Sequence, residues 1–267
     1  MTRALIPGLL RQGFAASQLR VGEPIEAQRD LLQREFGVVA LADNHAVVAD
    51  SDLVVLAVKP QQLTALLTAL CPTLVRHTPL LLSIVAGLRL AHLAACCPGL
   101  SIVRAMPNRP ALVGAGATAL YAGAEVGAAA RALAEQVMSA AGGTVWVQRE
   151  SDLDIVTALS GSGPAYFFLL AEQLAAAAVA QGLDAATAQM LAAQTLRGAG
   201  ALAARTSTLA EEREAVTSKG GTTAAALAAL EAGGFGKLVA AAMAAAAHRS
   251  AELGAQFGPP AQPGRTV

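Results

Sequence analysis

Aromatic residues and charge are both scarce in this chain. Tryptophan, tyrosine and phenylalanine make up 3% of its 267 residues, and charged residues make up 14%. Nucleic-acid binding by base stacking needs aromatic side chains, so the composition argues against it. The 19 basic residues are balanced by 19 acidic ones, for a formal net charge of +0. Because DNA, RNA and anionic membranes attract excess positive charge, we expect neither a nucleic acid nor a membrane as a partner.

A long apolar run is also missing, although hydrophobic residues make up 54% of the chain. The longest candidate, Val239 to Ala247, is about half the roughly 20 residues that a membrane-spanning helix needs. The apolar stretch before Pro7 is too short for a signal peptide. Helices that are apolar nearly all round are therefore predicted to be buried in a core or in a subunit interface.

Cysteine and histidine are too few and too scattered for a disulfide framework or a metal site. The three cysteines are Cys71, Cys96 and Cys97, an odd number with two adjacent. We expect them to be small buried side chains in the reducing cytoplasm. The four histidines show no metal-ligand spacing, so no metal is expected.

The first half of the chain alternates between strand and helix patterns. The run from Asp52 to Val58 is apolar at every position after Asp52 and of strand length, which is typical of a buried parallel strand. Strands alternating with helices predict a parallel sheet covered on both faces, in a domain over residues 1–149. The predicted strands lie at 18–22, 38–40, 52–58, 80–85, 101–105, 117–121 and 144–147.

The second half contains no convincing strand after Asp154. Pro164 suits the first turn of a helix, and Asp184 suits a helix cap. We predict an all-helical domain over residues 150–257 and a disordered tail over 258–267. Alanine-rich helices bury little area each, so this domain should be completed by a second subunit through an extensive dimer interface. The alternative is a self-contained helical bundle.

Unusual turns follow three successive predicted strands. They are Val58-Lys59-Pro60, Val85-Ala86-Gly87 and the proline-rich turn from Met106 to Pro110. Ligands of open parallel sheets bind outside the carboxyl ends of the strands. Each turn alone is consistent with an ordinary rigid connection, but three in succession are better explained by a shared ligand.

The helical half carries a second candidate site. Gly220 and Gly221 are flanked by hydroxyl side chains and precede a predicted helix. Free backbone N–H groups at a helix start favour an anion such as a carboxylate. Alternatively, Thr222 and Thr223 are plain helix N-caps.

Taken together, these segments resemble the pyrroline-5-carboxylate reductase family over about residues 1–253. The matching stretches are Leu56 to Gln61, Arg104 to Asn108, Thr157 to Tyr166 and Val216 to Thr223. A lone glycine-rich loop would not be specific for one family, but the last two of these stretches, in this order and spacing, are.

The resemblance implies a Rossmann-like parallel sheet followed by an all-α dimerisation domain. It implies reduction of 1-pyrroline-5-carboxylate to L-proline by hydride from NADPH or NADH in the cytoplasm, by a homodimer or a higher homo-oligomer such as a decamer of dimers. It implies that Thr223 is catalytic, by hydrogen bonding to the ring nitrogen. The implied cofactor-binding residues are Asn44, Ala57, Val58, Lys59, Pro60, Val85, Ala86, Met106 and Asn108. The implied substrate-binding residues are Glu150, Ser218, Gly220, Gly221, Thr222 and Thr223.

The chain departs from this family at its start. Met1 aligns with the methionine that ends the family's glycine-rich turn, so the first strand and the phosphate-binding glycines are missing. We therefore expect weak cofactor binding. Two explanations are open: a truncated reading of a longer chain, or a damaged paralogue that serves as a non-catalytic dimerisation partner. A related imine or β-hydroxyacid reductase is a third alternative.

Two further residues bear on cofactor choice. Glu23 ends the second strand of the family's order, where an acid accepts the ribose 2′-hydroxyl of NAD and repels a 2′-phosphate. Arg109 replaces the threonine that the family has in its Met-Pro-Asn-Thr-Pro motif. Since family members often use NADPH, mixed use of NADH and NADPH is expected.

Overall fold

The computed structural model describes residues 2–205 and 208–256. The chain divides into two compact units: one runs up to Gly161 and includes the stretch from Ala246 onward, and the other is Ser162–Ala245. The domain boundary predicted between residues 149 and 150 stays a prediction. The predicted disordered tail at 258–267 lies outside the described residues.

The first unit is built on strands that alternate with helices, as the sequence predicted. Its strands are β1 (Arg20–Gly22), β2 (Val39–Leu41), β3 (Leu53–Leu56), β4 (Leu80–Ser83), β5 (Ile102–Met106), β6 (Gly116–Ala122) and β7 (Gly142–Trp146). Strands β1 and β2 pair in parallel, and the others form a five-stranded sheet in the order β3-β4-β5-β6-β7. The Rossmann-like class is thereby confirmed.

The prediction of a wholly parallel sheet was wrong at one pair. Strand β6 runs antiparallel to β5, with Arg104 opposite Tyr121. The connection between them contains only a 3₁₀ turn, Arg109–Val113. A parallel crossover needs about a dozen residues or more, usually a helix, so this short connection can only reverse the chain. The remaining pairs are parallel.

The two sheets share no strand. Among the described residues, β1 pairs with β2 alone and β3 with β4 alone. A dinucleotide-binding sheet of this class places a further strand between these two. Among the described residues, no strand occupies that place.

Helices cover both faces of the five-stranded sheet. They and their neighbours in this unit are α1 (Thr2–Arg11), α2 (Glu26–Phe36), α3 (Asn44–Ala49), α4 (Pro60–His77), α5 (Leu90–Cys96), α6 (Ala128–Ser139) and α7 (Asp152–Val156). Leu82 and Val103 pack with α1 and α6, whereas Leu81 and Ile102 pack with α4 and α5. Successive residues of a strand point to opposite faces, so these apolar strands are buried on both.

The cysteines lie between α4 and α5. Cys97 is fully buried, its Sγ is 2.8 Å from that of Cys71, and all three cysteines are free thiols. Burial, followed by the contact with Cys71, raises the pKa of Cys97 to about 12. The thiol is therefore protonated at neutral pH, which fits a packing role.

The second unit is helical throughout. It contains α8 (Gly163–Ala180), α9 (Ala185–Ala203), α10 (Leu209–Ala215), α11 (Thr222–Ala232) and most of α12 (Phe235–Gln256), whose end belongs to the first unit. One turn of π-helix, Thr157–Gly161, joins α7 to α8. Asp184 caps α9 as predicted, because its carboxylate accepts from the Thr187 N–H at 3.0 Å.

Large apolar side chains cover the surface of α8 and α9. Phe167 is 61% exposed, Leu174 57% and Met190 56%. The continuous helical stretch Asp152–Ala180 is long and apolar enough to cross a membrane by length and composition alone. The expectation that no membrane is involved therefore stays a prediction. Exposed apolar surface of this extent marks an interface.

We predict that Gly8→Ala destabilises the first unit. A Cβ at this position of α1 would collide with the carbonyl oxygen of Ala140. Overpacking of this kind costs about 1 to 3 kcal/mol, which urea denaturation would measure. The control is Gly143→Ala in β7, where nothing lies within 4 Å of the added carbon. Equal stability of the two variants would contradict the prediction.

Candidate functional site

Three turns meet at one edge of the five-stranded sheet. Strands β3, β4 and β5 are parallel neighbours, with Leu56 beside Ser83 and Ser83 beside Arg104. Because the carboxyl ends of parallel strands share an edge, the segments that follow them lie side by side. The sequence-predicted cofactor residues from Ala57 to Pro60, Val85, Ala86, Met106 and Asn108 are thus brought together.

The turn after β3 presents a cation and a free helix start. Ala57 and Lys59 are exposed, Val58 is half-buried, and Pro60 is the first residue of α4. Lys59 occupies the N-cap position, but no side chain caps the helix. The uncapped N–H groups and the lysine ammonium both favour a phosphate at this turn.

The turn after β4 presents a small surface. Val85 is buried and Ala86 is exposed. Gly87 has a φ of 78°, a left-handed conformation that favours glycine. A Cβ on Gly87 would lie 3.6 Å from the backbone of Leu253 in α12, so the turn is backed by that helix. A flat ring can approach closely because only the Ala86 methyl group projects from the turn.

The Asn108 side chain, in the turn after β5, bonds within the fold. The resemblance implies that Asn108 binds the cofactor, and a carboxamide can offer a ligand both donors and an acceptor. Its Nδ2 instead donates to the Ser160 carbonyl at 3.0 Å, and its Oδ1 accepts from the Ala117 N–H at 2.9 Å. These contacts hold β6 and the π-helical turn together. Direct cofactor binding by the Asn108 side chain remains an untested prediction.

The π-helical turn also fits Met106. A Cβ on Gly161 would lie 2.8 Å from the Met106 Cε, so glycine leaves room for the methionine side chain. Met106 remains half-buried and faces this turn. Single π-helical turns are frequent at functional sites. Packing against Met106, within the first unit, therefore explains why glycine stands at position 161 of the Ser-Gly-Ser-Gly motif.

Asn44 lies beside the last residue of β1. It begins α3, and a Cβ on Gly22 would collide with its Oδ1. The carboxamide therefore covers the backbone at the end of β1, next to Glu23 in the chain. Helix α3 escaped sequence prediction because six residues are too few to show helical periodicity. The Asp43 cap, which accepts from the His45 N–H at 2.8 Å, was its available signal.

Glu150 was predicted to bind substrate, but its carboxylate already has partners in the first unit. Its Oε1 accepts from Arg104 Nη1 at 2.8 Å and from the Leu90 N–H at 2.6 Å. Burial lowers the pKa of Arg104, and Glu150 opposes that shift. Sequence reasoning missed Arg104, although a charge inside an apolar strand signals a buried counter-charge.

The second unit contains the predicted carboxylate receptor. A turn closes with the Gly221 N–H donating to the Ser218 carbonyl at 3.0 Å, and Gly220 has a φ of 73°. The Ser218 hydroxyl leans over Gly221, since a Cβ there would collide with its Oγ. Gly221 is the N-cap of α11, and no side chain caps that helix.

Thr222 and Thr223 are therefore not helix N-caps, which was the alternative left open by the sequence. They are the first two residues of α11; Thr222 is exposed and Thr223 half-buried. Their hydroxyls make no hydrogen bond that holds the described fold together. The Ser218 hydroxyl and the first N–H groups of α11 can together donate hydrogen bonds to a bound anion.

Over residues 2–205 and 208–256, no group of three or more histidine, cysteine, aspartate or glutamate side chains is arranged to hold an ion.

Family models match both halves of the chain. Residues 150–253 match the model described as pyrroline-5-carboxylate reductase dimerisation. Residues 1–87 match the model described as NADP oxidoreductase, coenzyme F420-dependent. The two matches fall on the helical half and on the half that carries the parallel strands.

Relatives match nearly the whole chain. The pyrroline-5-carboxylate reductase of Pseudomonas aeruginosa is 45% identical over 97% of this chain and 95% of its own length. That of Synechocystis is 42% identical over 95% of each chain. The structure of the Coxiella burnetii enzyme superposes with a TM-score of 0.91 at 37% identity, covering 94% of both chains. The Plasmodium falciparum enzyme with NADP bound gives 0.78 at 28% identity, covering 94% of this chain and 93% of that one.

We predict that Asn108→Ala destabilises the first unit by about 0.5 to 1.5 kcal/mol for each group that loses its hydrogen bond, because both groups are only partly buried. Those groups are the Ser160 carbonyl and the Ala117 N–H. Urea denaturation measures the loss. Gln12→Ala is the control, because it removes an exposed amide that contacts Ser139. A loss no larger than in the control would show that Asn108 does not hold the two elements together.

Proposed function

Because the chain belongs to the pyrroline-5-carboxylate reductase family, we propose that it reduces 1-pyrroline-5-carboxylate to L-proline with hydride from NADPH or NADH. The observation that carries the proposal is the open Ser218 turn at the start of α11. The Ser218 hydroxyl and the uncapped start of α11 suit a carboxylate, and the relatives of this chain bear this enzyme's name. The comparisons give no support to a non-catalytic dimerisation partner.

The substrate carboxylate is assigned to Ser218, Gly220, Gly221 and Thr222. The Ser218 hydroxyl and the amides at the start of α11 donate, and the helix dipole adds positive potential. Gly220 takes a left-handed conformation, which turns the chain so that these donors converge. Holding the ring by its carboxylate fixes the position of the imine, and orientation is the main contribution that a protein makes to a hydride transfer.

Thr223 is assigned to the ring nitrogen. Its hydroxyl follows Thr222 in the first turn of α11, next to the carboxylate receptor. A protonated iminium is a better electrophile than a neutral imine, so a donor at this nitrogen stabilises the transition state. No histidine, lysine or cysteine in these motifs offers a dedicated strong acid, and the proton itself comes from solvent.

The cofactor is assigned to the sheet edge formed by the three turns. When bound, the reduced nicotinamide supplies the hydride to the C=N carbon. The uncapped start of α4 and Lys59 suit its phosphate groups, and the small Ala86 suits the flat ring. Val58, Pro60 and Val85 shape the edge, and Asn44 lies at the end of β1. These features fit a dinucleotide laid along the carboxyl ends of the strands.

The enzyme is a homo-oligomer in this proposal. The exposed apolar faces of α8 and α9 support it, as does the match of residues 150–253 to a dimerisation model. A second copy of the chain would cover side chains such as Phe167 and Leu174. Higher assemblies built from dimers, and a place in the cytoplasm free of membranes, belong to the same proposal.

Thr223→Val should lower kcat/KM for 1-pyrroline-5-carboxylate by about 10- to 150-fold, the equivalent of a hydrogen bond to a developing charge. Oxidation of the reduced nicotinamide and formation of proline are both measured. Thr223→Ser keeps the hydroxyl and serves as the matched control. Unchanged turnover in the valine variant would exclude this role for Thr223.

Glu23→Gln should raise kcat/KM for NADPH relative to NADH by about tenfold or more, because it removes a negative charge that repels the 2′-phosphate. Glutamine keeps an acceptor for the Ile25 N–H, which Glu23 Oε1 binds at 3.0 Å. Glu125→Gln, beyond the end of the antiparallel β6 and so at the opposite edge, is the charge-matched control. An identical cofactor ratio in both variants would remove Glu23 as a determinant of cofactor choice.

A further inference from the structure

An ion pair between Arg104 of β5 and Glu150 lies close to the turns that follow β4 and β5. Arg104 is 6% exposed in β5, and its guanidinium donates to Glu150 at 2.8 Å. Arg104 lies two residues before Met106, the last residue of β5, so the pair is anchored next to the turn that follows this strand. Removing either partner alone would leave a buried charge without compensation.

The same carboxylate oxygen holds the turn after β4. The Leu90 N–H, at the first residue of α5, donates to Glu150 Oε1 at 2.6 Å. The N-cap residue Arg89 provides no side-chain cap for α5, so Glu150 takes that role from a distant part of the chain. One oxygen atom thus ties the segment after Gly87 to strand β5.

A second acid continues the network to the end of α12. Asp154 Oδ2 accepts from Arg89 Nη2 at 2.6 Å, and its Oδ1 accepts from the Ser250 hydroxyl at 2.8 Å. Ser250 is 8% exposed, and Gly87 packs against the following turn of the same helix. The segment from Val85 to Leu90 is therefore held from two sides.

We propose that Glu150 is a positioning residue that fixes the turn after β4 against the turn after β5, at the separation that the nicotinamide end of the cofactor requires. The inference rests on the proposed function and replaces substrate binding by Glu150, which the resemblance had implied. Glu150 acts through Leu90 and Arg104 and touches no reacting atom.

The test compares two double variants that carry no charge at positions 104 and 150: Arg104→Met with Glu150→Gln, and Arg104→Met with Glu150→Met. Replacing a buried ion pair with well-packed neutral side chains is often neutral for stability, so both proteins should fold. Glutamine and methionine are similar in size, but only glutamine keeps an oxygen that accepts from the Leu90 N–H. The pair of variants therefore isolates that single hydrogen bond.

The readouts are the Kd for reduced nicotinamide cofactor, from its fluorescence, and the hydrogen-exchange rate of the Leu90 amide in cofactor-free protein. The glutamine variant should match the unsubstituted chain in both. The methionine variant should bind cofactor about tenfold more weakly and exchange the Leu90 amide faster, because the turn is displaced. Arg149→Met, which removes an arginine that is 75% exposed and pairs with Asp152, is the control.

Two results would overturn the inference. Equal cofactor affinity in the two double variants would show that the Arg104–Glu150 pair supports the fold but does not position the cofactor turns. A raised KM for 1-pyrroline-5-carboxylate with unchanged cofactor affinity would show that Glu150 binds the substrate. If the unsubstituted chain binds neither NADH nor NADPH, the proposed function itself is contradicted, and this inference with it.

Discussion

The guanidinium of Arg104, buried in the central strand of the five-stranded sheet, constrains the arrangement of the residues around it. A charge that loses its water needs a counter-charge and further hydrogen bonds nearby. Glu150 supplies the counter-charge, so the residues that lead into α7 must pass behind strand β5. The Leu90 N–H and the Arg89–Asp154 pair then follow from the same placement. The charge thus fixes the start of the helical half against the turns of the sheet edge.

The second unit is limited by a different constraint, which is a shortage of its own core. Its buried residues are few and small, such as Ala175 and Ala188, while Phe167 and Phe168 lie on its surface. Alanine helices pack closely but bury little area each, so a unit of this composition gains its stability from a second copy of the chain.

Local features of the fold could be predicted from the sequence because their signals are local. The apolar run of β3, the Asp184 cap and Pro164 in the first turn of α8 each lie within a few residues of the element that they determine. The orientation of β6 could not be read in this way. It depends on the length of the short connection through Arg109–Val113, and the spacing of apolar residues within a strand carries no information about that length.

Site residues were harder to predict because their partners are distant in the chain. Asn108 offers an amide in a turn, as a ligand-binding residue would, but Ser160 and Ala117 use that amide. The resemblance implies that Glu150 binds substrate, but Arg104 and the Leu90 N–H hold its carboxylate. Sequence identifies which groups can form hydrogen bonds, and only the fold shows which of them are already used.

That distinction separates the two sites chemically. Near Met106 the Asn108 amide already bonds to Ser160 and Ala117, and the shape and backbone groups of this edge suit a large dinucleotide with many contacts. Around Ser218 and Thr223 the hydroxyls and the first amides of α11 remain open to a ligand. A small anion with few atoms must be recognised by directed hydrogen bonds, since it has little surface to bury. A rigid edge for the large ligand and open donors for the small one match what an imine reductase has to hold.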